Sequence, residues 1–196
     1  MKTGRIFGLL RWVIMSVLSA VVTLTVVLSA MAQPAPPDLS QMRVVAVASF
    51  ADEVGMREDL ARWAALRLSQ LLSRERLQVI SFEQVERGVR EMGLRPSDLI
   101  SPTATADLGR RLGADVVVTG RLIRADQERR RMGDSTERMP REAFVTLDLR
   151  VMVVATRRTH NVEVAGQAIG FTGLARAADQ ALQEFIGLLN KLRASR

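Results

Sequence analysis

Residues 12–31 form an almost wholly apolar run, which separates a short basic start from the rest of the chain: WVIMSVLSAVVTLTVVLSAM. Three basic residues precede this run: Lys2, Arg5 and Arg11. Ala30-Met31-Ala32 closes the run with the small residues that signal peptidase prefers. A charged start, an apolar core and a small-x-small site together predict a secretory signal over residues 1–32. Cleavage after Ala32 would leave the mature chain outside the inner membrane.

The same run also fits an uncleaved anchor, because about 20 apolar residues are enough to span a bilayer. A membrane tether through residues 12–31 therefore stays open, with the basic residues holding the N-terminus in the cytoplasm. The next residues, 33–42, are rich in proline and predict an extended tether. Residues 43–196 then remain for a single folded domain, which is periplasmic or otherwise exported under either alternative.

The composition of the chain limits the chemistry that this domain can perform. There is no cysteine, which excludes disulfides, zinc–thiolate sites and a lipid anchor on an acylated cysteine. The formal net charge is +7, but without the three basic residues of the leader it is near +4. This excess of positive charge is small and aromatic residues make up only 4% of the chain, so the composition argues against nucleic acid as a partner.

The hydrophobic patterns predict an α/β (α+β) domain in the order strand, helix, strand, helix, helix, strand, strand, strand, helix. The apolar run at residues 43–50 is continuous, which is typical of a strand covered on both faces. The other predicted strands and helices occupy residues 55–75, 78–80, 81–93, 101–113, 115–123, 144–154, 162–171 and 174–192. The expected fold is a mixed five-stranded sheet with helices packed on it.

Four predictions rest on local signals. Residues 144–154 alternate between apolar and polar side chains, which predicts a half-exposed antiparallel strand. Ser81 and Gln84 predict a capping box, and Ser101 before Pro102 predicts a second helix start. Residues 126–141 are highly charged without apolar periodicity and predict a mobile hairpin tip or loop.

No residue pattern predicts catalysis, a cofactor or a metal site. His160 is the only histidine and falls in a predicted turn at residues 156–161, without the partners that a triad or metal site needs. The glycines at 166, 170 and 173 do not have the spacing of a phosphate-binding loop. Asp52 and Glu53 precede a predicted helix, where carboxylates favour the helix dipole, and Asp107 has no recognisable catalytic partner.

Two groups of residues predict surfaces that bind a partner. Trp63 and Leu66 project away from the apolar stripe of the first helix, next to Arg62, and exposed Trp among Arg is typical of interface hot spots. The alternative is that Trp63 only covers the edge of the sheet. Arg129, Arg130 and Arg131 could attract an acidic protein or anionic lipid, although a solvated loop is the default explanation for them.

The strongest motifs resemble a family of envelope proteins. They are Leu77–Val85 (LQVISFEQV) and Thr105–Gly120 (TADLGRRLGADVVVTG). These segments resemble the superfamily of the curli-secretion protein CsgG, the penicillin-binding-protein activator LpoB, the flagellar protein FlgO and the amino-terminal domain of TolB. The resemblance covers nearly all of the mature chain. It implies an anticodon-binding-like domain in the periplasm that binds other proteins.

The chain departs from that family at two points. A secretion channel of the CsgG kind needs long membrane-crossing hairpins and an acylated cysteine, whereas residues 126–141 are short and charged. No propeller follows, as it would in a complete TolB. The resemblance therefore implies a non-enzymatic accessory protein in cell-wall, flagellar or secretion assembly, and a homo-oligomer stays open. The alternatives are a small-ligand sensor with a pocket at the carboxyl ends of the strands, and a hydrolase that uses carboxylates alone.

The signal-peptide prediction has a direct test. Amino-terminal sequencing of the protein recovered from cells is expected to start at Gln33, because Ala30 and Ala32 satisfy the small-x-small rule. Recovery of the intact amino terminus in the membrane fraction would contradict cleavage and would support the anchor.

Overall fold

The structure is a computed structural model that describes residues 42–55, 57–129, 141–170 and 172–194, all within one compact unit. The predicted signal segment, nearly all of the predicted tether and the centre of the predicted charged loop lie outside these residues. Across the described residues, no helix has the length and apolar character needed to cross a membrane.

Six strands, four α-helices and a short 3-10 helix make up the described fold. The strands are β1 (Val44–Val47), β2 (Ala51–Asp52), β3 (Gln78–Val79), β4 (Val116–Arg129), β5 (Arg141–Val153) and β6 (Arg158–Ile169). The α-helices are α1 (Glu58–Arg74), α2 (Phe82–Glu91), α3 (Pro102–Leu112) and α4 (Gly173–Ala194). The 3-10 helix is Pro96–Ile100.

The mixed sheet confirms the predicted fold class and adds one strand to it. Its order is β3-β1-β4-β5-β6, with parallel pairing of β3, β1 and β4 and antiparallel pairing of β4, β5 and β6. The prediction of five strands is wrong by one, because β2 also pairs with β4, parallel, through Ala51 and Asp52. Two residues are too few to show any hydrophobic period.

Helices cover both faces of the parallel part of the sheet. Val45 and Val47 of β1 belong to the larger hydrophobic cluster, on the side of α1 and α4. Ala46 and Ala48 belong to a smaller cluster on the side of α2 and α3. The continuous apolar run of β1 therefore reflects burial on two faces, as the sequence predicts.

The long antiparallel strands are covered fully on one face and only in part on the other. Val145, Leu147 and Leu149 of β5 are fully buried against the larger cluster, while the alternate residues between them are partly exposed. This confirms the alternation predicted for residues 144–154. On the outer face, α3 and the 3-10 helix cover the end of β4 and β5 where Met152 is fully buried, and no helix lies over the rest of this face among the described residues.

Local signals at the helix ends are mostly confirmed. Ser81 Oγ accepts a hydrogen bond from the backbone N–H of Gln84 at 3.3 Å, as the capping box predicts. Gly113 ends α3 in the left-handed conformation, with φ of 67°. Ser101 is the N-cap residue of α3 and Pro102 occupies its first position, as predicted, but the Ser101 side chain makes no capping hydrogen bond.

Two predicted loops are partly strand. β4 continues to Arg129 and β5 begins at Arg141, so the arms of a hairpin occupy both ends of the predicted loop 126–141. The predicted turn at residues 156–161 is shorter, because β6 begins at Arg158. In both places polar side chains on an edge strand or on an uncovered face conceal the strand period.

Asp115 joins three strands at one end of the sheet. Its carboxylate Oδ2 accepts hydrogen bonds from the backbone N–H groups of Arg43 at 3.0 Å and Val44 at 2.9 Å. Its backbone N–H donates to the carbonyl of Val44, and its carbonyl accepts from the N–H of Val154. The start of β1, the start of β4 and the end of β5 are thereby held together.

α4 lies directly on β6 at Gly166. A Cβ atom at this glycine would lie 1.8 Å from the carbonyl oxygen of Ala177, which is backbone and cannot rotate away. α4 also reaches the outer edge of the sheet, where the Gln180 side-chain oxygen accepts a hydrogen bond from the backbone N–H of Gln167 at 3.2 Å. Glycine at 166 therefore sets the distance between helix and sheet.

Gly166→Ala is expected to destabilise the fold by roughly 1–3 kcal/mol or more, because α4 must move off the sheet to admit the methyl group. Thermal unfolding followed by circular dichroism measures the effect as a lower Tm. Gly187→Ala is the matched control, since nothing lies within 4 Å of an added Cβ at that position of α4. It should raise stability by about 0.5–1 kcal/mol through helix propensity.

Asp115→Ala is expected to cost about 1–2 kcal/mol, because it removes the acceptor of two backbone N–H groups. Asp115→Asn keeps an acceptor oxygen and should cost less. Urea unfolding measures both values. Asp107→Ala serves as the control, since the ion pair of Asp107 with Arg110 is exposed and should contribute about 0–1 kcal/mol. Equal stability of the two alanine variants would contradict the joining role of Asp115.

Candidate functional site

The outer face of α1 carries the residues that the sequence predicts for partner binding. Leu66 is 40% exposed, one of few large apolar side chains on the described surface to be so open. Arg62, one turn earlier, is also exposed, and its guanidinium carbon lies 6.0 Å from the ring centroid of Phe82. This contact draws the Arg62 head towards the start of α2.

Trp63 is only partly exposed, because it packs against the larger hydrophobic cluster. The prediction that Trp63 projects away from the apolar stripe is therefore wrong in part: the indole is shared between core and surface. Leu66 and Arg62 stand one turn apart, so three neighbouring side chains form a single patch. We refer to Arg62, Trp63 and Leu66 as the α1 patch.

An ion pair fixes α1 against α4 beside this patch. Arg67 Nε lies 2.6 Å from Asp179 Oδ1. The hydrogen bond to Asp179 raises the pKa of Arg67 above its ordinary value, with the charge of the same carboxylate adding to the effect. Because both side chains are partly exposed, we expect the pair to position α1 more than to stabilise it.

The predicted basic cluster is only partly described. Arg129 is the last residue of β4 and pairs with Arg141 of β5. Arg130 and Arg131 lie outside the described residues, as do residues 132–140 that follow them. The structure thus gives no geometry that joins this cluster to the α1 patch.

The uncovered face of the antiparallel strands holds a charged network. Arg121 of β4 donates to Asp148 of β5 through Nε at 3.0 Å and to Glu53 through Nη1 at 2.8 Å. The hydrogen bonds to Asp148 and then to Glu53 raise the pKa of Arg121 above its ordinary value. Of the two residues predicted to lie at the start of α1, Glu53 instead binds Arg121. Asp52 does lie there, and its carboxylate accepts hydrogen bonds from three backbone N–H groups, including that of the N-cap residue Arg57.

A small cavity lies beside this network, between the 3-10 helix and strands β4 and β5. The cavity lined by Leu99, Thr119, Arg121 and Arg150 has a volume of about 10 Å³, roughly the space of one water molecule.

The remaining candidates for chemistry are dispersed. His160 lies in β6 opposite Val151 rather than in a turn, so its predicted placement is wrong. Asp107 pairs with Arg110 on α3, and Gly166 serves helix packing. Within the described parts of the chain, no three His, Asp or Glu side chains are grouped closely enough to hold a metal ion.

Sequence reasoning predicts that β5 is half exposed, but it does not identify the surface that β4, β5 and β6 form together. Its exposed positions include two apolar residues, Ile123 at a β-bulge in β4 and Ile169 at the end of β6. The polar half of the alternation in residues 144–154 is the signal that could have identified it. The face becomes visible only when the register shows which polar residues of three strands lie side by side.

Known structures share this fold at low sequence identity. A lipoprotein from Neisseria meningitidis, GNA1162, matches with a TM-score of 0.53 and 13% identity over 79% of this chain and 99% of its own. PelC from Paraburkholderia phytofirmans, a dodecamer, matches with a TM-score of 0.52 and 16% identity over 80% and 94%. The hypothetical protein CT253 from Chlamydia trachomatis matches with a TM-score of 0.50 and 12% identity over 79% and 99%.

The sequence itself matches a family model over most of its length. The model is that of the curli production assembly/transport component CsgG, and it matches residues 25–177. No individual curated protein is significantly similar in sequence. The matched segment contains β1 to β6 and the start of α4, including Asp115 and Gly166. The mixed sheet and the family motifs thus both lie within the matched residues. The chain belongs to the CsgG family.

Proposed function

We propose that this protein is a non-enzymatic accessory protein of the cell envelope and that it acts by binding another protein through the α1 patch. The observation that carries the proposal is the exposure of Leu66 at 40% beside the Arg62 guanidinium and the Trp63 indole. Arginine and tryptophan are enriched in interface hot spots, and Leu66 adds exposed apolar surface on the same face of α1.

The family supports an assembly role. Its description names curli assembly and transport, and this chain carries a predicted signal segment that would deliver the domain to the same compartment. The fold similarity to a lipoprotein of Neisseria meningitidis agrees with an envelope location. We place the domain in the periplasm, released or tethered through residues 12–31.

The chemistry of the α1 patch indicates the kind of partner surface. Leu66 would enter an apolar depression, and Arg62 would meet a carboxylate at the rim of the interface. Arg129, Arg130 and Arg131 would add long-range attraction for the same acidic partner or for anionic lipid, chiefly by raising the association rate.

Self-association is the second form that such binding can take. PelC, which shares the fold, forms a dodecamer. A second copy of the chain is therefore included among the partners that the experiment below distinguishes.

Partner binding is expected to depend on Leu66 and Arg62. A photo-crosslinking amino acid placed at position 66 in cells should give a discrete crosslinked band, and Arg62→Glu should reduce that band tenfold or more, since it reverses the rim charge. A crosslinker at Glu184, exposed on α4, is the control. A product with twice the mass of the chain would assign the patch to a second copy.

Stability measurements complete this test. Leu66→Ser and Arg62→Glu change exposed side chains, so unfolding free energies should stay within about 0.5 kcal/mol of the parent. Trp63→Ala should cost roughly 1–3 kcal/mol, because its indole is part of the core, and it is therefore unsuitable as a binding probe. Crosslinking at position 66 that equals the control, or that ignores Arg62→Glu, would refute the proposed patch.

A further inference from the structure

A second surface lies on the opposite side of the sheet from the α1 patch. It is a groove of about 460 Å³ between α2, the end of α3 and the edge strand β3. Peptide and small-molecule sites commonly have volumes of roughly 300–1,000 Å³, so the groove is large enough to hold several residues of a bound chain. Its lining combines apolar and polar groups: Val44, Gln78, Ile80, Gln84, Arg87, Gly88, Glu91, Arg111, Leu112 and Gly113.

The charges at the groove are unequal. Arg111 Nη2 lies 2.6 Å from Glu91 Oε2, so these two lining residues compensate each other. Arg87 is exposed on α2, and the described part of the chain provides it with no ion pair or hydrogen bond. The groove therefore has one uncompensated positive charge and attracts a negative one.

The neighbouring edge strand offers hydrogen-bonding groups. Gln78 and Ile80 donate their backbone N–H groups to Arg43 and Val45, towards β1. Because backbone groups alternate in direction along a strand, the N–H and carbonyl of Val79 point away from β1. β3 ends the sheet among the described strands, so these groups face outwards.

The floor of the groove is apolar. Ile80 and Leu112 pack against the smaller hydrophobic cluster and are only partly buried. An apolar side chain that lay on them would remove further surface from water, at about 25 cal/mol per Å². The Gln78 and Gln84 amides line the same groove and can hydrogen-bond to a peptide backbone.

We propose that this groove binds an extended acidic peptide segment of a partner protein. An aspartate or glutamate of the segment pairs with Arg87, a neighbouring apolar side chain rests on Ile80 and Leu112, and the segment runs along the edge of β3. Strand addition of this kind derives affinity from backbone hydrogen bonds and selectivity from alternate side chains. A small free anion would use Arg87 but neither the apolar floor nor the strand edge.

The proposal is tested with a library of random 12-residue peptides displayed on phage and selected on the purified domain. We expect the enriched peptides to carry Asp or Glu next to an apolar residue. Synthetic copies of these peptides should bind at least tenfold more weakly to Arg87→Glu and to Leu112→Asn. Fluorescence anisotropy measures the dissociation constants.

Matched variants separate the groove from general charge effects. Arg90→Glu, on the same helix but outside the groove, and Arg110→Glu, next to Arg111 on α3, make the same charge change and should leave affinity within about twofold. Leu66→Ser should also leave it unchanged, so failure of the α1 patch and failure of the groove are distinguishable. Circular dichroism melting shows whether each variant is folded.

Three results would overturn the proposal. The first is a selection that enriches no peptide, or enriches peptides without acidic residues. The second is binding that Arg90→Glu weakens as much as Arg87→Glu does. The third is displacement of the peptide by inorganic phosphate at concentrations too low for ionic screening. If phosphate binding is also weakened by Arg87→Glu but not by Leu112→Asn, the groove is a site for a small anion instead.

Discussion

The approach of the α4 backbone to β6 is the constraint on which the main core depends. At Gly166 an added Cβ would lie 1.8 Å from the Ala177 carbonyl oxygen, so helix and strand are separated by backbone alone. This contact lets Phe185 and Leu182 of α4 become fully buried against the sheet. The ion pair between Arg67 and Asp179 then fixes α1 beside α4. The orientation of the α1 patch therefore depends on the absence of a side chain at Gly166.

The most recognisable family motif has a structural explanation at each of its key positions. Gly109 faces Val154 and Val117 so closely that an added Cβ would lie 2.4 Å from Val154. Gly113 supplies the left-handed residue after α3, and Asp115 binds the start of β1. The motif thus maintains the junction of α3, β1 and β4. A match to it identifies the fold and says little about what the protein binds, which is why the function rests on surfaces.

Much of the fold is predictable because burial leaves a clear periodic signal. The continuous run of β1, the alternation of β5 and the stripe of α4 each correspond to an element of the predicted type. β2 is missed because two residues carry no period. The extension of β4 and β5 towards Arg129 and Arg141 is missed because polar side chains conceal the alternation.

The candidate surfaces are less predictable than the fold. Leu66 can be recognised from its position off the helical stripe, but the partial burial of Trp63 depends on how α1 packs against the sheet. The groove cannot be identified from the sequence, since Gln78, Arg87 and Leu112 come from three separate elements. Only the pairing of β3 with β1, and the packing of α2 beside α3, brings these side chains together.

The hydrogen bond from the Gln167 N–H to the Gln180 side chain has a consequence for solubility at high concentration. β6 is a 12-residue strand at the end of the sheet, and such a strand can act as a template for cross-β stacking of identical chains. Gln180 occupies one of its outward amide groups, so an incoming chain cannot continue its ladder past that point. A single glutamine of α4 thereby shortens the stretch of β6 on which fibril growth could begin.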